Sequence, residues 1–131
     1  MEHADLRGTD LSGAMLRKAY LRTANLRGAN LQGADLSAAD LIGAKLRAYM
    51  LRANLTKACL RRADLQGAYL RYANLTGADL QGSDLQRAEL SGAYLQWTDL
   101  SDADLSEAEY SKTTTFPEGF DPEAAGMVLE E

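Results

Sequence analysis

The chain has 131 residues, one cysteine, one histidine and a net charge of −5. That length fits a single domain, and the composition excludes an internal disulfide, a His-based catalytic triad and a multi-histidine metal site. The charge is polarised: residues 1–71 hold 12 basic and 6 acidic side chains (+6), residues 72–131 hold 2 and 13 (−11), and the two sum to −5.

The N-terminus, Met1-Glu2-His3-Ala4-Asp5, has no basic segment followed by an apolar one, so no secretion signal is read there. No run approaches the roughly 18 apolar residues of a membrane span. With a lone cysteine suited to a reducing compartment, the expected location is the cytoplasm.

From Ala4 a spacing takes over: a small residue, any residue, then leucine, every five positions. Ala4-Asp5-Leu6, Ala24-Asn25-Leu26, Ala34-Asp35-Leu36 and Ala78-Asp79-Leu80 are typical. Leucine recurs from Leu6 to Leu51 (ten copies), slips to Leu55, and recurs to Leu105 (eleven copies); Tyr110 closes a series of twenty-two. On an α-helix a five-residue step advances roughly 140° and leaves no single apolar face. On a straight strand, leucines five apart alternate between faces. A chain that runs extended through Ala-x-Leu and turns at the next two residues satisfies the pattern, winding into a coil with Ala and Leu inside. Asp or Asn before Leu supplies a short acceptor for turn N–H groups. Gly often ends the repeat, as at Gly28, Gly77 and Gly92, where positive φ is expected, and corners with and without Gly predict two turn types.

The slip at Leu51-Arg52-Ala53-Asn54-Leu55 predicts a four-residue repeat over Tyr49, Met50, Leu51 and Arg52. Arg52 is expected to turn the corner alone, and Tyr49 to sit at the small inward position with its ring escaping toward solvent. Stacking is expected to resume with Leu36, Leu55 and Leu75 in one column.

After Tyr110 the leucines stop, dividing the chain into a repeat domain (1–112) and a C-terminal cap (113–131). Asp121-Pro122-Glu123 reads as an N-cap, a first-turn proline and a first-turn acid, predicting a short capping helix from about 122. Phe116, Phe120, Met127, Val128 and Leu129 are expected to cover the last coil, as solenoid ends require.

These tandem A-(D/N)-L-x-x copies resemble the pentapeptide-repeat family over residues 4 to about 112, and the tail resembles those of cyanobacterial members. The resemblance implies an all-β solenoid, a right-handed quadrilateral β-helix of about five and a half coils with four pentapeptides to a coil. Arg7, Arg27 and Arg47, and Asp64, Asp84 and Asp104, fall twenty apart in agreement, although fifteen-residue coincidences leave three sides open on periodicity alone. For function the resemblance implies a non-catalytic interaction, scaffold or regulatory protein. The alternative is an acidic DNA mimic that binds DNA gyrase or another DNA-binding protein. The basic first half, the absence of inserted loops, Leu rather than Phe at the central position and the lack of a dimerising tail place that alternative second.

No residue set supports an enzyme, and no cofactor is expected. His3 stands alone. Cys59, flanked in the twenty-residue register by Asp40 and Asp79 with Arg61 beside it, reads as a surface thiol. The ladder Asp64, Asp84, Asp104 is the best metal candidate, but a flat column of three falls short of the six to eight oxygens calcium takes, so no metal site is assigned. Arg7, Arg17, Lys18, Arg22, Arg27, Lys45 and Arg47 spread over several faces, which makes nucleic acid a poor partner. Tyr72, Tyr94 and Trp97 form the candidate protein-binding patch, with Trp97 expected flat over Gly77. The expected partner is another protein, with no membrane, and the chain is expected to be a monomer or a weak dimer through its uncapped N-terminal coil.

Overall fold

The computed structural model describes residues 2–130. Each Ala-x-Leu triplet runs extended, so its first and third side chains share the inner face. From Leu21 to Leu95 nearly every such pair is fully buried, Leu26, Leu65 and Leu80 at 0% exposure. The middle residue faces out and pairs with its counterpart one turn on. Asp5 bridges Asn25, Asn25 bridges Lys45, Asp64 bridges Asp84 and Asp84 bridges Asp104, all parallel. Partners twenty residues apart mean four pentapeptides per turn, so the right-handed β-helix has four sides. Its ladder is regular: Leu26 N donates to Lys45 O at 2.8 Å, and Lys45 N donates back to Ala24 O at 2.9 Å. Three-residue sides are too short for longer ladders, and among the described residues only β1 (Glu109–Tyr110) and β2 (Val128–Leu129) extend beyond single bridges.

All the two-residue corners share one conformation. The second residue has positive φ whether it is Gly28 (70°), Gly77 (71°), Lys57 (60°), Arg62 (57°) or Trp97 (63°). The two expected turn types are thus one, because the stacked sides dictate the corner and the side chain accommodates it. A non-glycine residue held there is strained by about 1–2 kcal/mol, while glycine costs about 0.5–1 kcal/mol in unfolded-state entropy. Lys18→Gly, on an exposed corner at φ 60°, is therefore expected to raise unfolding stability by about 0.5–1 kcal/mol; a lowered denaturation midpoint would contradict the strain. The first corner residue is held by the Asp or Asn two positions earlier, as in Arg27 N to Asn25 Oδ1 (3.2 Å) and Gln81 N to Asp79 Oδ1 (3.1 Å).

The short repeat lies one copy earlier than the leucine series predicts. Ala48 and Met50 are 2% and 0% exposed, whereas Tyr49 is 46% exposed and Leu51 half-buried. The inward pair is Ala48 and Met50, Arg47 alone joins Leu46 to Ala48, and Arg52 is the second residue of an ordinary corner at φ 59°. A phenol overfills an alanine-sized site; pointing outward, Tyr49 stacks on Tyr69 with centroids 5.0 Å apart and rings within 3° of parallel. What the corner loses is its left-handed residue, and with it the closing bond that Ala44 N makes to Leu41 O and Ala53 N to Met50 O elsewhere. The bridge spacing falls to nineteen from Asn30–Tyr49 through Lys45–Asp64 and returns to twenty at Tyr49–Tyr69. Asp35 pairs Asn54 and Asn54 pairs Asn74, so Leu36, Leu55 and Leu75 share a column.

The repeat also runs past residue 112. Ser111, Lys112 and Thr113 make a three-residue corner, and Thr114-Thr115-Phe116 forms a further side, Thr115 bridging Tyr94. Buried Thr114 Oγ1 accepts from Gly92 N (3.1 Å) and Ser111 N (2.9 Å) and donates to Leu90 O (3.0 Å). Phe116 stands where a leucine would.

Among the described residues no capping helix follows. Asp121 Oδ1 accepts from Glu123 N (3.1 Å) and Ala124 N (3.3 Å), as an N-cap should, but residues 122–126 make a single turn that Gly126 ends at φ 83°. So short a helix does not sustain itself, and pairing of the next segment prevails. β2 lies parallel on β1, Val128 opposite Glu109 and Leu129 opposite Tyr110. Of the expected lid, Met127 (7% exposed) is inside, Phe116 and Phe120 stack at 5.1 Å, and Tyr110 meets Phe116 edge-on at 5.6 Å. Val128 and Leu129 are 51% and 41% exposed and lie outside the lid. Arg71 clasps the tail, its two terminal nitrogens donating to the Glu130 oxygens at 2.8 and 3.0 Å, while Ser91 Oγ donates to Oε2 at 2.9 Å. These hydrogen bonds hold the Glu130 carboxyl below its ordinary range.

Candidate interaction surface

Side chains at the left-handed corners lean toward the following coil. A Cβ on Gly43 would meet Thr23 Cγ2 at 3.3 Å, one on Gly77 would meet Lys57 Cγ at 3.4 Å, and one on Gly92 would run into the Tyr72 ring. Each of these three side chains is thus accommodated by a glycine one coil later. Trp97 obeys the same geometry and leans away from Gly77, contrary to the expectation that it lies flat there; what approaches Gly77 is Lys57. One coil beyond Trp97, after the Thr114-Thr115-Phe116 side, the chain leaves the repeat, and Pro117 stands where the next corner would be.

Trp97 is consequently 81% exposed and lines two adjoining open cavities. One, of about 550 Å³, is lined by Trp97, Gln96, Thr98, Phe116, Pro117 and Glu118. The other, of about 410 Å³, shares Trp97, Thr98, Pro117 and Glu118 and adds Asp99, Ser101 and Phe120. The walls are rigid for their size: Thr98 Oγ1 donates to Leu95 O at 2.7 Å, and Phe116 is fixed between Tyr110 and Phe120. Asp99 accepts from Ser101 Oγ (2.6 Å), Ser101 N (3.0 Å) and Gln81 Nε2 (2.7 Å). The serine hydroxyl and amide hold its carboxyl below the ordinary range, so it is ionised at neutral pH.

The three aromatics of the sequence-based patch fall at different places. Tyr94, 46% exposed, is the middle of a side, between Asn74 and Thr115. Tyr72 lies at one end of that side and Trp97 at the other. The Tyr72 ring covers Gly92, and the Arg52 guanidinium carbon sits 5.3 Å from its centroid, so much of its surface is already engaged. Trp97 is joined instead by Phe116, Pro117 and Glu118. Sequence reasoning missed these three as groove partners because they lie in the tail, outside the repeat register.

The remaining candidates sit in structural roles. His3 Nδ1 and Thr23 Oγ1 share a hydrogen bond. Half-exposed Cys59 lies between Asp40 and Asp79, which pair with Arg22 (2.6 Å) and Arg61 (3.6 Å). In the Asp ladder, Asp64 takes Arg47 at 3.1 Å, Asp84 accepts from the Gln66 amide, and Asp104 accepts from Ser106 Oγ at 2.6 Å. Each rung thus has its own donor. Among the described residues, no group of three or more His, Cys, Asp or Glu is placed to hold a metal, and no helix is long and apolar enough to cross a membrane.

The family profile described as pentapeptide repeats matches in eight copies over residues 4–41, 24–71, 48–87 and 88–109. Among solved structures the chain is similar to the pentapeptide-repeat protein Rfr23 of the cyanobacterium Cyanothece 51142, with 31% identity over 83% of this chain and 88% of that one and a TM-score of 0.61. It is also similar to alr5209 of Nostoc PCC 7120, a pentapeptide-repeat protein, with 36% identity over 92% and 84% and a TM-score of 0.54. QnrB1, a plasmid-mediated fluoroquinolone resistance protein, shares the fold at 20% identity over 99% and 79% with a TM-score of 0.57. None of the curated proteins matches. The matched repeats span residues 4 to 109, with every side stacked on its predecessor twenty residues back or nineteen across Arg47, and the chain belongs to the pentapeptide-repeat family.

Proposed function

We propose that this protein is a non-catalytic interaction module that engages another protein at the Trp97 groove. The observation that carries the reading is the exposure of the only tryptophan, 81%, beside two adjoining cavities at the lidded end of the rod. Exposing a full indole to solvent contributes nothing to the fold, whereas tryptophan is enriched among the residues that dominate protein–protein binding. Tyr94, on the adjoining side, extends the surface. A DNA-mimic role is the second reading, favoured by the −11 balance of residues 72–131. The +6 of residues 1–71 opposes it, because a mimic of duplex backbone needs negative charge along its length.

Retention of a partner from cell extract by the immobilised protein tests the reading. Trp97→Ala is expected to fold with an unchanged melting temperature and to lose the retained protein, while Tyr20→Ala, an exposed aromatic 72% accessible at the other end, is expected to keep it. Identical retention by wild type and Trp97→Ala would rule the groove out.

A further inference from the structure

We infer that the occupant of the Trp97 groove is an extended segment of a partner protein carrying an arginine next to an apolar residue; this rests on the interaction reading above. The two cavities share Trp97, Thr98, Pro117 and Glu118, and the first adds Phe116 where the second adds Asp99. The first offers an apolar side chain the faces of Trp97, Phe116 and Pro117. The second is edged by Asp99 and Glu118 and has Trp97 as its wall.

No cation lines either cavity, and among the described residues neither Asp99 nor Glu118 has a cationic nitrogen within 4.0 Å. Other carboxylates do have such a partner, Asp5, Asp40 and Asp64 in the first half and Asp79, Glu107 and Glu130 in the second. The chain itself has little to offer, because residues 72–131 hold only 2 basic side chains against 13 acidic.

The groove therefore presents an unused aromatic face beside two carboxylates without an ion-pair partner, Glu118 making no hydrogen bond among the described residues and Asp99 held by Ser101 and Gln81. Arginine fits both at once, since its planar guanidinium stacks on an indole and its fork of N–H donors matches a carboxylate. Lysine, a strongly hydrated point charge, matches only the carboxylates. Nucleic acid is repelled by the same charge. An apolar neighbour in the first cavity sets the direction of the segment.

Trp97, as the only tryptophan, reports occupancy by its own fluorescence. The probe is acetyl-Gly-Leu-Pro-Arg-Gly-amide, titrated beside versions with Gln and with Glu in place of its arginine. The arginine peptide is expected to give a saturable change in emission that weakens with added salt and is about tenfold weaker in Glu118→Lys. The Glu peptide is expected to give none. Glu118 is exposed and makes no hydrogen bond or ion pair among the described residues, so its substitution leaves the fold intact, checked by an unchanged melting temperature. No saturable response to the arginine peptide, equal binding of the Gln or Glu peptide, or an affinity indifferent to Glu118→Lys each overturns the inference. The interaction reading fails separately, if Trp97→Ala keeps the retained partner.

Discussion

Met50→Ala is expected to lower the unfolding free energy by about 2–5 kcal/mol, and Leu51→Ala by less than about 1 kcal/mol. The leucine at 51 looks like the core residue and the methionine at 50 like its neighbour, so the pair separates the two possible registers. Met50 is 0% exposed among the stacked leucines, and truncation leaves a cavity the neighbouring coils cannot close, because their sides are fixed by bonds on both edges. Leu51 is the first residue of a corner and half-buried, with little apolar contact to lose. Leu65→Ala, deeper in the same core, is expected to match Met50→Ala. Gln66→Ala, which gives up only an amide bond to Asp84, is expected to cost about 0.5 kcal/mol. Denaturant midpoints for the four variants decide the matter; equal midpoints for Met50→Ala and Leu51→Ala would sink the inside and outside assignment.

Removing the lid is the second large perturbation. A chain ending after Lys112 loses Phe116, Phe120 and Met127 and the Thr114 hydroxyl that closes the Gly92 corner. The inner faces of Leu95 and Leu105 and the strand edges above them are then uncovered. Unpaired edges recruit other edges, so light scattering is expected to show particle mass roughly doubled or more relative to the full chain. An unchanged mass would show that the lid does not protect that end.

Most of the architecture was legible because one residue does one job. Ala and Leu two apart can only share a face, and the pairing of Asp64 with Asp84 and of Asp84 with Asp104 twenty residues on is the four-sided coil already implied by their spacing. The slip was misread because leucine is equally at home in a core and on a half-buried corner. The alanines held the better signal: Ala44, Ala48 and Ala53 step by four and then five, which places the short corner at Arg47. The predicted helix failed for a different reason. Asp121 does cap a turn, but local capping chemistry says nothing of β1, whose free edge captures Val128 and Leu129 and stops the turn at Gly126. The groove was half visible. Trp97 stands out in the sequence, yet its walls come from Phe116, Pro117 and Glu118, a tail whose path over the last coil follows from no periodicity.

Four sides to a coil give the rod an azimuth as well as a length. Deleting one whole pentapeptide between Ala53 and Leu95 would leave every alanine and leucine inside, yet swing all that follows, the Trp97 groove included, through a quarter turn relative to the basic N-terminal surface. Deleting four would restore the heading and shorten the rod by one coil, about 4.8 Å. The missing residue beside Arg47 changes neither, since a corner absorbs it and the next side resumes its column. Bearing is therefore set in units of five residues, each carrying about a quarter of a coil's rise, and reach at constant bearing in units of twenty.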